Sequence, residues 1–407
     1  MLYFILFFLL ADLISFLGLS IFNLELAILL KQFSLIIIVT ISLSSFLKNK
    51  IVKLEIIYLI YLIFLTFFSL QTVNAPSIII YQSSYLLLFP LFFVKLGNKF
   101  SSIENLNKFE KFIQYFALSN FIFMLFEINN TEFLIQIGLS EFWINVKGVV
   151  QGINVNSNLP FNYHTDFEAT TRRGAGLLLA PLASGMLHAF ASYISFVKFV
   201  NYKSRSDLFL LIIIFIGLIL TNSRGPMIFL FISIFIYYLK NKEELKINIG
   251  ERFFWFIMIL GVTYVAVPTI IDAITLKDER APGHYFSLIN NIINLPSIPI
   301  FGYGIGTQGS LSAEAGISVL GQGFGTEGGI FSTTYQCGII FGVIFLIWYF
   351  NLTKEDQLGD DKKAYPLLIS GIVIMLTSEH FYTISGYVYI WYYVGLNKKK
   401  NESLTNL

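Results

Sequence analysis

Charge, cysteine, histidine and arginine are all scarce in this sequence. Charged residues make up 13% of the 407, against roughly 25% in an ordinary soluble domain. That shortage excludes a water-solvated surface over most of the chain. A single cysteine, Cys337, excludes an intramolecular disulfide and a cysteine zinc cluster, and in its apolar stretch it reads as a small buried hydrophobe. The four histidines, at 164, 188, 284 and 380, include no pair at metal-ligand spacing, so neither a metal nor another cofactor is expected. A net charge of +2, with no basic patch carrying interleaved aromatics, excludes nucleic acid as an expected partner.

What fills the chain instead is apolar sequence in long unbroken runs, 56% of all residues. LFLLIIIFIGLIL, from Leu208 to Leu220, is apolar all round, which suits lipid. The opening MLYFILFFLLADLISFLGLS has neither a basic leader nor a small-residue cleavage site, so it reads as a first membrane helix. About 20 apolar residues cross a bilayer. On that rule spans fall near 2–21, 25–47, 51–70, 76–95, 110–128, 177–198, 207–222, 225–240, 252–273, 328–350, 364–381 and 383–397. The expected fold is an all-α polytopic membrane protein, one transmembrane domain over 1–407 with about twelve transmembrane helices. Long extracytoplasmic loops at 129–176 and 274–327 interrupt it.

Lysine placement orients the chain. With both termini cytoplasmic, the inner loops hold Lys48, Lys50, Lys53, Lys95, Lys99, Lys108, Lys111, Lys198, Lys203, Lys240, Lys242, Lys246, Lys354, Lys362, Lys363 and Lys398 to Lys400, with Arg205 and Arg252. Lys31 lies inside a span, at a depth comparable with Asp12 on the adjacent one. A buried charge needs a partner, so these two are expected to pair.

Six basic residues break the bias: Lys147, Arg172, Arg173, Arg224, Lys277 and Arg280. Four of these six are arginines, in a chain with six arginines altogether. Lysine suffices for topology, whereas the planar guanidinium fork grips phosphate or carboxylate. The outer face therefore reads as an anion site, the bland alternative being pairing with loop acids such as Asp166, Glu168 and Glu279. The second long loop contains PSIPIFGYGIGTQG, whose alternating Gly302, Gly304 and Gly306 permit tight turns and close approach to the backbone.

Three segments carry a family resemblance: RRGAGLLLAPLASG entering the sixth span, LTNSRGPMIFL between the seventh and eighth, and the loop from ERAPGHYFSLINNIINLPSIPIFGYGIG to TEGGIFSTTYQCGIIFG. Together with about twelve spans, they resemble the O-antigen polymerase and ligase superfamily, most closely its Wzy-type polymerases. Arg173, Gly176 and Pro181 are similar to that family's arginine-to-helix element. Thr221, Ser223 and Arg224 resemble its Thr-x-Ser-Arg turn, Arg280 its large-loop arginine, and Pro299, Gly302 and Gly304 its Pro-x-x-Gly-x-Gly element. One departure stands out. Ligases carry a histidine shortly before a glycine that corresponds to Gly338, and here that position holds Glu327.

The resemblance implies a metal-independent glycosyltransferase of the bacterial inner membrane. Its donor would be a polyprenyl-diphosphate-linked oligosaccharide, and its product O-antigen, capsule or exopolysaccharide. Such chemistry needs charge stabilisation of the leaving diphosphate and a base for the acceptor hydroxyl. Arg173, Arg224 and Arg280, with Arg172 as helper, are the diphosphate-binding candidates. Glu327 is the candidate base for an inverting displacement, with His284 and Glu379 as alternatives. Trp143, Tyr163 and Tyr285 are candidates for stacking on sugar rings. A chain-length regulator and a flippase are further expected partners. The runner-up reading is a ligase, and a reading of another class is a flippase or transporter of lipid-linked oligosaccharide.

Overall fold

The computed structural model describes residues 2–22, 24–48, 53–74, 76–83, 88–146, 154, 157–160, 163–164, 172–241, 263, 292–307, 329–354, 363–377 and 384–398. The fold is 84% helical, with no strand among the described residues. It resolves into two compact units. Unit 1 joins 1–41 to 108–268, and unit 2 joins 42–107 to 269–407. Unit 2 is therefore assembled from two stretches of chain with most of unit 1 inserted between them.

The helices are α1 (Leu2–Leu9), α2 (Ala11–Ile21), α3 (Leu24–Lys48), α4 (Lys53–Thr72), α5 (Pro76–Gln82), α6 (Phe89–Lys99), α7 (Ile103–Asn129), α8 (Thr131–Gln136) and α9 (Leu139–Glu141). They continue with α10 (Pro181–Tyr202), α11 (Arg205–Leu220), α12 (Arg224–Asn241), α13 (Gly329–Leu352), α14 (Ala364–Thr377) and α15 (Ile384–Leu396). Three of the described helices, α4, α7 and α13, are long and apolar enough to cross a membrane. α4 shows why this composition belongs in lipid. Glu55, Tyr58, Leu62, Leu65 and Ser69 form its buried stripe at helical spacing, and Tyr58 packs against Phe341 and Trp348 of α13. The opposite face exposes Ile57, Ile60, Phe64 and Phe67, an apolar surface that lipid rather than water accommodates.

Two expected spans are each described as two helices. The first is α1 plus α2, although the bonds from Leu10 N to Leu6 O and from Ile14 N to Leu10 O carry the ladder through the junction. The fourth is described as α5 and α6, with residues 84–87 between them outside the described residues. The expected span at 252–273 lies outside the described residues apart from 263, and so does the side chain of Lys31, hence its pairing with Asp12.

In unit 1, α10, α11 and α12 are three consecutive helices joined by short turns. Pro181 opens α10 at a position where its missing N–H costs nothing. Lys203 closes α10 in the left-handed region, and the Ser204 hydroxyl caps α11 by accepting from Asp207 N. In unit 2, α6 and α15 cross at two glycines. A Cβ on Gly97 would stand 2.1 Å from Tyr392 O, and one on Gly395 would stand 2.1 Å from Val94 O. Small residues let backbones approach in this way, and packing replaces the hydrophobic effect inside a bilayer. Ser101 reinforces the crossing by donating to Leu396 O at 2.8 Å. Gly97→Leu is expected to push the two helices apart and to cost at least about 2 kcal/mol. Thermal unfolding in detergent checks this, and an unchanged midpoint would show that the crossing is not tight.

Lys95 corrects one expectation. It is not a loop cation but lies on α6, 7% exposed, with Nζ 2.6 Å from Glu55 Oε2. Lys198 likewise sits on α10 and pairs with Glu110 at 3.2 Å. Charges taken out of water persist only where a counter-ion and hydrogen bonds compensate them.

Candidate functional site

The candidate site is the end of unit 1 where the segment 172–180 enters α10 and where α11 turns into α12. The segment is strapped on both sides. Towards α11, Gly174 N donates to Leu220 O at 2.9 Å. Towards α7, Glu127 Oε2 accepts from Ala175 N at 3.0 Å and from Gly176 N at 2.6 Å. Leu177 N then donates to Asn120 Oδ1 at 2.7 Å. Gly176 adopts φ +62, and a Cβ there would lie 2.4 Å from Asn120 Oδ1. Only glycine takes that backbone without strain, which is a local physical reason for a glycine at 176.

Glu127 also meets Arg172, whose guanidinium donates to Oε1 at 3.2 Å. The carboxylate is 1% exposed, so its two oxygens are committed to one cation and two amides. The acid that engages Arg172 is therefore a helix residue. The loop acids offered as the bland alternative, Asp166, Glu168 and Glu279, lie outside the described residues.

Arg224 is the first residue of α12, and the turn before it is closed by side-chain hydrogen bonds. Thr221 Oγ1 donates to Leu218 O at 2.7 Å, and Ser223 Oγ donates to Thr221 O at 3.0 Å. Both side chains are buried, and Gly185 of α10 lies against them. A Cβ on Gly185 would meet Pro226 at 2.9 Å and Thr221 Oγ1 at 3.0 Å. The Thr-x-Ser part of the motif thus serves the turn, and the arginine is the part left half-buried at the helix start. Since Leu220 holds Gly174, the arginines of two separate sequence segments, Arg172 with Arg173 and Arg224, are carried to the same end of unit 1.

Tyr163 and Trp143 correct the sugar-stacking expectation. Tyr163 is fully buried, donates to Leu179 O at 2.8 Å and packs edge-on against Trp143. Burial pushes its phenol well above the usual range, and the charge of Glu127 adds to the effect. It is a neutral core donor bracing the segment. His164 contacts Ser157 at 2.8 Å through Nε2. Tyr285, the other stacking candidate, lies outside the described residues.

The glycine loop lies in unit 2, and its amides are occupied by protein acceptors. Tyr303 N donates to Tyr335 O at 2.9 Å and Gly304 N to Gln336 O at 3.0 Å. Ile305 N donates to Ser69 Oγ at 2.6 Å, and Gly306 N to the side-chain oxygens of Gln336 at 2.8 Å and Gln82 at 3.1 Å. Two of those acceptors exist because α13 breaks at Gly338, with φ 82 and ψ 166. The break frees the Tyr335 and Gln336 carbonyls from the helix ladder. Gly302, Gly304 and Gly306 are all buried at positive φ; Gly302 lies against the backbone of α13 at Gln336 and Gly338, Gly304 against side chains at the end of α4 and Val73 just beyond it, and Gly306 against Ile79 of α5. Arg280, His284, Glu327 and Glu379 lie outside the described residues.

Sequence reasoning missed Glu127 and Asn120. The signal was present as polar residues in a span: Glu110, Gln114, Asn120 and Glu127 are all buried on α7. Each has a partner on or near α10. Glu110 and Gln114 meet Lys198, Asn120 meets His188 at 3.2 Å, and Glu127 meets Arg172. Among the described residues no group of three His, Cys, Asp or Glu side chains is placed to hold a metal. No protein family, curated protein or solved structure matches the chain.

Proposed function

We propose that the chain is a Wzy-type polysaccharide polymerase of the bacterial inner membrane, with about twelve spans, both termini cytoplasmic and the chemistry at the outer face. One observation carries the reading. Arginines from two separate segments, 172–173 and 224, converge on one end of unit 1 through the bond from Gly174 N to Leu220 O. Guanidinium forks gathered at one end suit a diphosphate leaving group, because they supply fixed positive charge and paired donors without a metal. The reaction is inverting transfer of a growing glycan from its polyprenyl diphosphate to a hydroxyl of the next lipid-linked repeat unit. The anomeric C–O bond to diphosphate breaks as the hydroxyl oxygen attacks. Glu327 takes the hydroxyl proton, while Arg173, Arg224 and Arg280 stabilise the departing diphosphate. Arg172, paired with Glu127, belongs to the support of that cluster.

The flippase alternative needs charged groups lining a passage. Among the described residues, the buried carboxylates of α7 are instead paired, Glu110 with Lys198 of α10 and Glu127 with Arg172 of the segment before α10, which favours the enzyme. Purified protein in nanodiscs, given lipid-diphosphate repeat units, is expected to yield a ladder of multiples on a gel. Glu327→Gln is expected to lower the rate by about 10²–10⁴-fold, the usual range for a general base. A single transfer to another acceptor would move the assignment to the ligase, and transbilayer movement with no new bond would move it to the flippase. A ladder undiminished in Glu327→Gln would transfer the base role to His284 or Glu379.

A further inference from the structure

Glu127 is an ionisable residue at the end of a long apolar helix, almost wholly removed from solvent. A buried ion pair adds little stability of its own, because desolvation offsets the attraction. If the only need were to fasten the segment 172–180, apolar packing would do so more cheaply. Packing of that kind is also present, since a Cβ on Gly174 would meet Met124 and Ile128 at 3.0 to 3.4 Å.

What the carboxylate adds is direction. Oε1 takes the Arg172 fork, and Oε2 takes two consecutive amides, those of Ala175 and Gly176. The next amide, Leu177 N, goes to Asn120. Asn120, Met124 and Glu127 occupy one stripe of α7 at helical spacing. The stripe reads three successive backbone donors, which is possible because Gly176 takes the left-handed turn. Asn120 is itself oriented by His188 Nε2 at 3.2 Å, whose Nδ1 lies 3.0 Å from Ile214 O of α11. The geometry runs from α11 through His188 and Asn120 to the segment, and from the segment back to α11 at Leu220.

We infer that Glu127 and Asn120 are positioning residues that set where Arg173 stands relative to Arg224. The inference rests on the reading of this arginine end as a diphosphate site, whose ligand the two residues themselves do not reach. Their role is to hold one arm of it in register with the other, because a charged donor displaced by an ångström loses much of its effect on a leaving group.

The test separates the two ideas. Spin labels are placed at 173 and 224 in the full-length chain carrying Cys337→Ala, and the distance distribution is measured in nanodiscs. A narrow distribution is expected with Glu127 present, and a clearly broadened or shifted one in Glu127→Gln. Asn120→Ala serves as a second variant that leaves the ion pair intact. Unchanged distributions in both variants would overturn the inference. In parallel, unlabelled protein is titrated with inorganic diphosphate, where Glu127→Gln is expected to weaken binding at least tenfold. If the unsubstituted protein fails to bind diphosphate, the polymerase reading loses its anion site, while the distances still decide whether Glu127 sets the segment.

Discussion

Arg224→Ala is expected to abolish ladder formation from lipid-diphosphate repeat units, with the initial rate falling by about 10²–10³-fold. That is the usual loss when one preorganised charge-stabilising donor is removed. The expectation depends on the platform beneath the residue. Arg224 begins α12 directly after a turn closed by Thr221 and Ser223, and the turn is wedged under Gly185. Removing a half-buried side chain from a hydrogen-bonded base changes charge more than structure, so Arg224→Ala should elute and melt like the parent. Arg224→Lys keeps the charge and loses the planar fork, so its activity should fall between the two. Gly225→Ala is the matching control. Nothing lies within 4 Å of a Cβ at that position, and alanine favours the helix over glycine. It should leave activity unchanged and raise stability slightly. A ladder formed at the parent rate by Arg224→Ala would remove this residue from the mechanism.

Gly338→Ala is expected to damage folding severely for a single added methyl group. Gly338 sits at φ 82, and a Cβ there would stand 2.0 Å from Ile300 O and 2.7 Å from Gly302 N. With ψ 166 this backbone is one that essentially only glycine adopts, costing an L-residue about 1–3 kcal/mol, and forced overpacking adds about 1–3 kcal/mol. The consequence is not confined to the helix. If α13 straightens to relieve the clash, the Tyr335 and Gln336 carbonyls return to the ladder. Tyr303 N and Gly304 N then lose their acceptors. Buried amides without partners are costly in water and more so within a membrane. Lower yield of monodisperse protein and a clearly depressed melting midpoint are the expected readouts. Wild-type stability in Gly338→Ala would show that the break in α13 is not required.

The helices were largely legible, because long apolar runs and their lysine-rich borders follow from the cost of burying charge in lipid. The expected intervals 25–47, 51–70, 225–240 and 328–350 correspond closely to α3, α4, α12 and α13. The break at Gly338 was not legible. An isolated glycine in an apolar run reads as a tolerated helix residue, and only the loop that docks against it requires the break. The glycines of 302–306 were recognised as a place of close approach, but sequence does not say whether the approaching partner is a ligand or a helix backbone. Glu127 and Asn120 escaped because a polar residue inside an apolar run makes the run less apolar without naming a partner. The partner of Glu127 is 45 residues away, and Leu177, the partner of Asn120, is 57 away.

The glycine crossing of α6 and α15 carries a consequence for synthesis. Ser101 and Leu396, which close it, are 295 residues apart in the chain. During translation α6 is made early, and Gly97 lacks the backbone it packs against until α15 has been made. The inserted stretch of unit 1 has its helices α10 to α12 in adjacent sequence, so it can pack while the ribosome is still working. Unit 2 must wait. A ribosome stalled before residue 384 leaves the stretch of unit 1 complete and the glycine crossing of unit 2 unmade.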